Sequence, residues 1–198
     1  MQASNTPRLE TKRLIVRKFT IDDIQALYRI FSDWEMNAFL PWYPVTSLQE
    51  AEKLYRVNYA QQYQQRRAYQ YAICHKSDDI PIGYVHLSDT ESRDLGFGLI
   101  PPFWGQGIVT EACMAVIAQA KEDNVPYITA THDVNNPRSG EVMKRLGMTY
   151  RYSYQEAWQP KNLLVVFRMY QLNLDQDKER TYMEYWNRYP VHFIEEGV

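Results

Sequence analysis

The sequence predicts a mixed α/β (α+β) domain, and two patterns carry this prediction. Strand-like runs separated by a short turn occur over residues 69–99 and indicate antiparallel hairpins. A strand, a helix and a further strand then follow one another over residues 95–133, which is the pattern of a strand–helix–strand unit. The length of 198 residues fits one domain that can stabilise its own core.

In the N-terminal third, residues 9–19 (LETKRLIVRKF) are rich in branched apolar residues and predict a first strand. Thr20 then precedes two acidic residues and an apolar pattern with helical spacing, which predicts a helix that ends near Asp33. Ser47 and Glu50 form a capping-box pattern, so we expect a second helix to begin there.

Beyond Tyr69 the sequence predicts six strands and two helices. Residues 108–122 predict an amphipathic helix because their apolar residues recur on one face. Asn136, Pro137 and Gly147 mark the two ends of a shorter helix. The predicted strands are, in order, AYQYAICHK, PIGYVHLSD, DLGFGLI, VPYITATHD, TYRYSYQEAW and LLVVFRMYQL.

Composition restricts the classes of partner. The net charge is -2, from 22 Lys and Arg against 24 Asp and Glu, so neither nucleic acid nor a membrane is an expected partner. The N-terminal residues MQASNTPRLETKR have no apolar signal-peptide core, and a cytoplasmic location is expected. Cys74 and Cys113 are expected to be buried free thiols. The four histidines lack metal-ligand spacing, so no metal is expected.

Residues 101–112 (PPFWGQGIVTEA) place two glycines immediately before a predicted helix. A helix N-terminus presents unpaired N–H groups and a partial positive charge, and glycines let the backbone approach an anion closely. The pattern is neither a P-loop nor a dinucleotide fingerprint. By itself it leaves two interpretations open, an anion-binding loop or a tight turn.

Two longer stretches, DLGFGLIPPFWGQGIVTEA and NNPRSGEVMKRLGM, resemble the two central motifs of the GNAT superfamily of acyl-CoA N-acyltransferases. More closely they resemble its ribosomal-protein N-terminal acetyltransferase (RimJ/RimL-like) branch, whose usual first strand is similar to residues 9–19. The resemblance implies a GNAT domain over residues 1–174, with a mostly antiparallel, twisted sheet that splays around the cofactor. Residues 175–198 are expected to be an aromatic helical extension packed on the same domain.

The resemblance also implies where acetyl-CoA, the acetyl donor, would bind. It would lie in a wedge between the strands DLGFGLI and VPYITAT, with its pantetheine arm paired to the backbone around Leu99 and Ile100. Asn136 and Ser139 would meet the pantetheine near the thioester. The backbone amides expected to cradle the pyrophosphate are those of Gly105, Gln106, Gly107, Ile108, Val109 and Thr110. The sequence departs from the family pattern at Val109, where a smaller residue is usual, and at Met143, where many relatives have a catalytic Tyr.

Three side chains are candidates for proton transfer. By resemblance, Ser139 would protonate the departing thiolate and Glu156 would accept the proton of the amine, although an alignment shifted by two residues would bring Trp158 to that position. His86 has the intrinsic pKa of a general base. The structural alternatives are a helix-capping Ser139, a surface Glu156 and a packed His86. Asp94 opens the cofactor-side strand, where it would act through water or only flank a turn.

The resemblance therefore implies an N-acetyltransferase that moves the acetyl group of acetyl-CoA to a primary amine by direct attack in a ternary complex. The acceptor would be a protein N-terminal α-amine or a small-molecule amine. Two alternatives remain open: a non-catalytic acyl-CoA-binding sensor, and an interaction domain whose glycine loop is only a turn. The aromatic extension would pack on the domain or form a homodimer contact through residues at helical spacing: Tyr182, Tyr185, Trp186 and Tyr189.

Overall fold

Two antiparallel sheets diverge from a parallel bridge that joins Asp94 and Thr129. The structure is a computed structural model and describes residues 5–198. The expectation that the N-terminal residues 1–13 have no apolar signal-peptide core concerns, in part, residues 1–4, which lie outside the described residues. Among residues 5–198, no helix has the length and apolar character that crossing a membrane requires.

The first sheet contains five strands in chain order, each antiparallel to the next. They are β1 (Leu9–Glu10), β2 (Leu14–Arg17), β3 (Tyr69–His75), β4 (Pro81–Leu87) and β5 (Leu95–Leu99). The prediction of one strand over residues 9–19 is wrong because the chain turns between β1 and β2. The Thr11 hydroxyl accepts a hydrogen bond from the Leu14 amide at 2.9 Å and stabilises this turn.

The second sheet contains β6 (Tyr127–Asp133), β7 (Thr149–Trp158), β8 (Leu163–Asn173) and β9 (His192–Phe193). Its strand order is β6, β8, β7, β9, and all of its pairs are antiparallel. The predicted α+β class is confirmed. The sequence patterns did not predict β9, which consists of two residues paired with Ser153 and Tyr154.

Five α-helices accompany the sheets within the described residues: α1 (Ile24–Ser32), α2 (Leu48–Leu54), α3 (Ile108–Glu122), α4 (Pro137–Arg145) and α5 (Glu184–Arg188). The Ser47 hydroxyl caps α2 by accepting from the Glu50 amide at 3.2 Å. The Glu50 carboxylate accepts from the Thr46 amide at 2.6 Å, one residue earlier than the capping-box pattern predicts. A π-helical turn, Tyr55–Ala60, continues α2.

Two apolar clusters stabilise the fold. The main core joins the first sheet to α1 and α3 through residues such as Val16, Leu27 and Val116, all of which are fully buried. A second, smaller cluster lies on one face of the second sheet and consists of Tyr152, Tyr154, Val165, Phe167 and Met169. The main core therefore spans both sheets, since it also includes Ile128 of β6 and Tyr170 of β8. The smaller cluster adds to the packing of the second sheet alone.

Candidate active site

The loop between β5 and α3 forms a cradle of backbone amides. Gly105 and Gly107 have φ values of 74° and 72°, in the left-handed region that favours glycine. The first hydrogen bond at the start of α3 joins the Glu111 amide to the Gly107 carbonyl at 3.0 Å, so the amides of residues 108–110 precede it. A Cβ added at Gly105 would meet no described atom within 4 Å. The cradle is therefore open and fits an anion.

Two arginines flank this cradle. The Arg13 guanidinium donates to the Gln106 carbonyl at 3.0 Å and pairs with Glu111 at 2.7 Å. The Arg138 guanidinium lies 5.0 Å from the centre of the Trp104 ring. The contact between Arg138 and Trp104 joins the glycine loop to α4, so the structure brings the two predicted motifs together. Sequence reasoning missed Arg13, whose place beside the loop depends on contacts more than 90 residues apart.

The open edge of β5 faces the wedge. Hydrogen bonds from Ile100 N to Ile82 O and from Ser88 N to Asp94 O, both at 3.0 Å, show that even-numbered residues of this segment pair with β4. Alternation along the ladder therefore directs the backbone groups of Leu95, Phe97 and Leu99 away from β4. The Leu99 carbonyl already accepts from the Trp104 indole.

This geometry refines the predicted pantetheine contacts. The Ile100 amide is occupied by Ile82, so the groups that can pair with a ligand belong to Phe97 and to the amide of Leu99. From Asp94 to Ile100, six steps of ~3.3 Å along the strand make an edge of about 20 Å. An edge of this length, unpaired beyond the bridge to β6, can accommodate a narrow, extended ligand.

Asn136 and Ser139 lie together at the start of α4. The Asn136 carboxamide accepts from the Ser139 amide at 3.4 Å, and it donates to the Ser139 hydroxyl at 3.0 Å. These contacts satisfy backbone groups at the helix start. They also leave the hydroxyl hydrogen of Ser139 free to donate elsewhere, because the oxygen acts as the acceptor in this pair.

Asp94 occupies the point where β5 and β6 separate. The residue is half-buried, but its Oδ1 atom is shielded from solvent and has no hydrogen-bond partner among residues 5–198. Burial raises the pKa of the Asp94 carboxyl to about 7. An unpaired buried carboxyl is costly, and such groups are concentrated at functional sites. The turn-flanking interpretation does not account for this environment.

Glu156 lies on β7, half-buried, on the same strand as Tyr154. Burial chiefly raises the pKa of Tyr154, and the Asp94 and Glu156 carboxylates add to the shift. Tyr154 is thus near both acids. Trp158 is the residue that the shifted alignment would bring to the position of Glu156. Its ring centroid lies 4.9 Å from that of Phe167, and the side chain packs against the apolar cluster.

His86 lies on the same face as Asp94, and it is half-buried. Its ring stacks on Tyr84 with centroids 5.8 Å apart, and a Cβ at Gly96 would come within 2.2 Å of it. Burial lowers the pKa of His86 to about 4, so the ring is neutral near pH 7. His132 lies near the end of β6, in the second sheet, and packs on Gly140 and Tyr170. It therefore does not share a face with His86.

A groove of about 1120 Å³ opens beside His86. Its lining includes Trp42 from the loop between α1 and α2, Asn58 from the π-helical turn, Arg66 and Tyr84. The groove lies on the side of the first sheet that carries α1 and α2, opposite to the side that packs on α3. Within residues 5–198, no group of three or more His, Cys, Asp or Glu side chains is arranged to hold a metal ion.

Comparisons with known proteins agree with the fold described above. The uncharacterized N-acetyltransferase YnaD of Bacillus subtilis strain 168 is 27% identical over 144 residues, which are 71% of this chain and 81% of that protein. A GNAT-family acetyltransferase from Bacillus anthracis has the same fold, with a TM-score of 0.75, 20% identity and coverage of 85% of this chain and 99% of that one.

An acetyltransferase of Salmonella typhimurium that modifies the N-terminal serine of a 50S ribosomal subunit protein also shares the fold. Its TM-score is 0.73 at 20% identity, and the match covers 83% of this chain and 97% of that one. The model of the acetyltransferase (GNAT) domain family matches residues 13–149, more than half of the 198 residues. The predicted family is therefore confirmed: the chain belongs to the GNAT family and is an acetyltransferase.

Proposed function

We propose that this protein transfers the acetyl group of acetyl-CoA to a primary amine by direct attack, with both substrates bound together. The observation that supports the donor is the open amide cradle at residues 105–110. Its left-handed glycines, its unpaired helix-start amides and the adjacent Arg13 suit a pyrophosphate, which carries negative charge and needs several donors.

The reaction forms a bond from the amine nitrogen to the acyl carbon and breaks the bond from that carbon to sulfur. Acetyl-CoA, when bound, supplies that carbon and a thiol leaving group. The protein must accept one proton from the nitrogen and help one reach the sulfur. A thiol with a pKa of about 8.5 leaves with little assistance, so the proton on the amine is the harder problem.

Asp94 is the group best suited to accept the amine proton. Its carboxyl lies where the wedge begins, its Oδ1 is unpartnered within the described residues, and its pKa of about 7 is near the optimum for a general base. Glu156 is the second candidate. His86, with a pKa of about 4, is too weak a base for an ammonium group. Ser139 keeps a free hydroxyl hydrogen to donate to the sulfur.

The acceptor would enter by the groove beside His86 and present its amine to Asp94. The Salmonella relative acts on a protein N-terminus, which supports a protein α-amine as one acceptor class. An α-amine has a pKa of about 7.7–8.0 and is neutral more often at pH 7 than a lysine at about 10.4. A small-molecule amine fits the same reaction.

Calorimetric titration with acetyl-CoA tests the donor site. We expect micromolar binding by the unmodified protein and none by Gly107→Trp, because the indole would fill the cradle. Gly147→Trp is the matched control: Gly147 also has a positive φ, 80°, and open space around it, but it ends α4. Equal losses in both variants, or no binding by the unmodified protein, would refute the proposed site. Thiol release with a panel of amines then tests transfer.

A further inference from the structure

The C-terminal extension, residues 175–198, lies outside the matched GNAT region, which ends at residue 149. It nevertheless crosses the face of the second sheet that carries Tyr154. The extension contains α5 and β9, and its aromatic side chains pack on the small apolar cluster. Its position relative to Asp94 and Glu156 therefore bears on which acceptors the protein binds, as well as on the stability of the fold.

Both ends of the extension are fastened by polar contacts. At its start, the buried Gln171 side chain accepts from the Tyr182 amide at 2.8 Å and donates to the Arg180 carbonyl at 2.8 Å. Near its end, the Arg168 guanidinium donates to the Glu195 carboxylate at 3.0 and 3.1 Å. The segment between these points, which includes α5, is thereby held against the sheet.

Two rings of the held segment reach the acidic groups. Tyr189 stacks on Tyr154 with centroids 4.8 Å apart and planes 10° apart, and Tyr185 stacks on the same ring at 5.1 Å. Tyr185 is also near Asp94, and the Tyr189 hydroxyl is near Glu156. The rings of the extension therefore pack on Tyr154 beside the two carboxylates.

We propose that Tyr185 and Tyr189 form a fixed wall of the acceptor site and, with Asp94 and Glu156, select acceptors whose amine is a cation without a nearby anionic group. This inference rests on the proposed function. Tyrosine rings attract cations through their faces, and the two carboxylates add to that attraction. The same carboxylates repel a carboxylate on the acceptor. Peptide N-termini and diamines are therefore preferred to free amino acids, in which the amine and a carboxylate occur together.

Acceptors of matched length test the charge selection. We expect 1,4-diaminobutane to be acetylated with at least about tenfold higher kcat/KM than 4-aminobutanoate, and a dipeptide amide similarly to exceed the free amino acid. Equal values within each pair would overturn the inference while leaving the acetyltransferase proposal intact. If no amine is acetylated, the proposed function itself fails.

Variants of the extension test the wall. Tyr185→Leu and Tyr189→Leu should each raise the acceptor KM by about tenfold with no change in the KM for acetyl-CoA. Trp186→Leu is the matched control, because Trp186 is on the same helix but packs on Tyr152 and His192. Equal KM changes in all three variants, or changes in thermal stability alone, would show that the extension is only structural. Tyr189→Phe, which keeps the ring, should retain most of the selectivity.

Discussion

The proposed donor end of the site, residues 101–110, is formed mainly by backbone groups, whereas the proposed acceptor face is formed by side chains from separate segments. Asp94 comes from the start of β5, Glu156 from β7, and Tyr185 and Tyr189 from the extension. The first arrangement depends on local conformation, since two left-handed glycines and a helix start are consecutive in the chain. The second depends on how distant segments pack.

This difference affects how each half responds to change. A backbone cradle loses its function when a side chain fills it or when its glycines are replaced. A side-chain recess changes its preference residue by residue, so related chains with the same donor can acquire different acceptors. We therefore expect donor and acceptor effects to separate in kinetics, and three further changes test that separation.

The largest effect is expected for Asp94→Asn. Removal of a general base should lower kcat by about 100-fold, with acetyl-CoA binding unchanged. In the unmodified protein, kcat/KM should fall as pH drops below about 7, because protonation of Asp94 removes the base. The pH–rate profile of the variant should lack this inflection, and Glu156→Gln should retain it. An unaltered kcat in Asp94→Asn would show that another group accepts the amine proton.

Asp94→Asn is also expected to increase the stability of the fold, although it lowers kcat. The folded pKa of Asp94, about 7, is above the unfolded value of about 3.9. The folded state therefore binds more protons between these values, and stability falls as pH rises through this window. Asp94→Asn removes this penalty, so its Tm should exceed that of the unmodified protein at pH 8. A lower Tm at pH 8 would contradict the buried environment described for this carboxyl.

Local signals explain which parts of the fold the sequence could predict. The bounds of α3, residues 108–122, follow from glycine before the helix and an apolar stripe within it. Asn136 and Pro137 likewise fix the start of α4. Each of these features depends on interactions within a few residues, and the same holds for the proposed donor loop.

Long-range contacts explain the parts that the sequence could not predict. The turn that splits the first predicted strand is stabilised by a hydrogen bond from Thr11 to Glu111 at 2.6 Å, a hundred residues away. The pKa of Asp94 depends on burial, and Tyr154 and Tyr185, which lie near it, come from two later segments. β9 has only two residues and exists because β7 offers a free edge. None of these features leaves a periodic pattern.

A smaller effect is expected for Arg13→Gln at the donor end. Loss of this partly exposed cation should weaken acetyl-CoA binding by about fivefold, and by less at high salt because the site is screened. Glu111→Gln is the matched control, since it breaks the same ion pair and leaves the cation in place. Calorimetry at two ionic strengths distinguishes the two variants. Equal weakening in both would mean that Arg13 only shapes the loop.

The smallest effect is expected for Glu195→Gln, which weakens the attachment of the extension. The hydrogen bonds from Arg168, and then burial and Ser153, determine the pKa of Glu195, and the net shift is downward. A carboxyl with a lowered folded pKa stabilises the fold above its unfolded pKa of about 4.3, and this contribution is lost as pH falls through the folded value. The variant should therefore lose about 1 kcal/mol at pH 7, and the difference should disappear near pH 3.

Glu196→Gln, a change at the exposed neighbouring acid, provides the control for this measurement. Thermal unfolding of the unmodified protein, Glu195→Gln and Glu196→Gln at pH 7 and pH 3 gives their stabilities. Steady-state kinetics gives the KM values for the acceptor and for acetyl-CoA. Because Glu195 holds the segment that carries Tyr185 and Tyr189, Glu195→Gln should raise the acceptor KM and leave the acetyl-CoA KM unchanged. If both KM values rise together, the extension supports the whole wedge, and the proposed separation of a backbone-built donor end from a side-chain-built acceptor face is wrong.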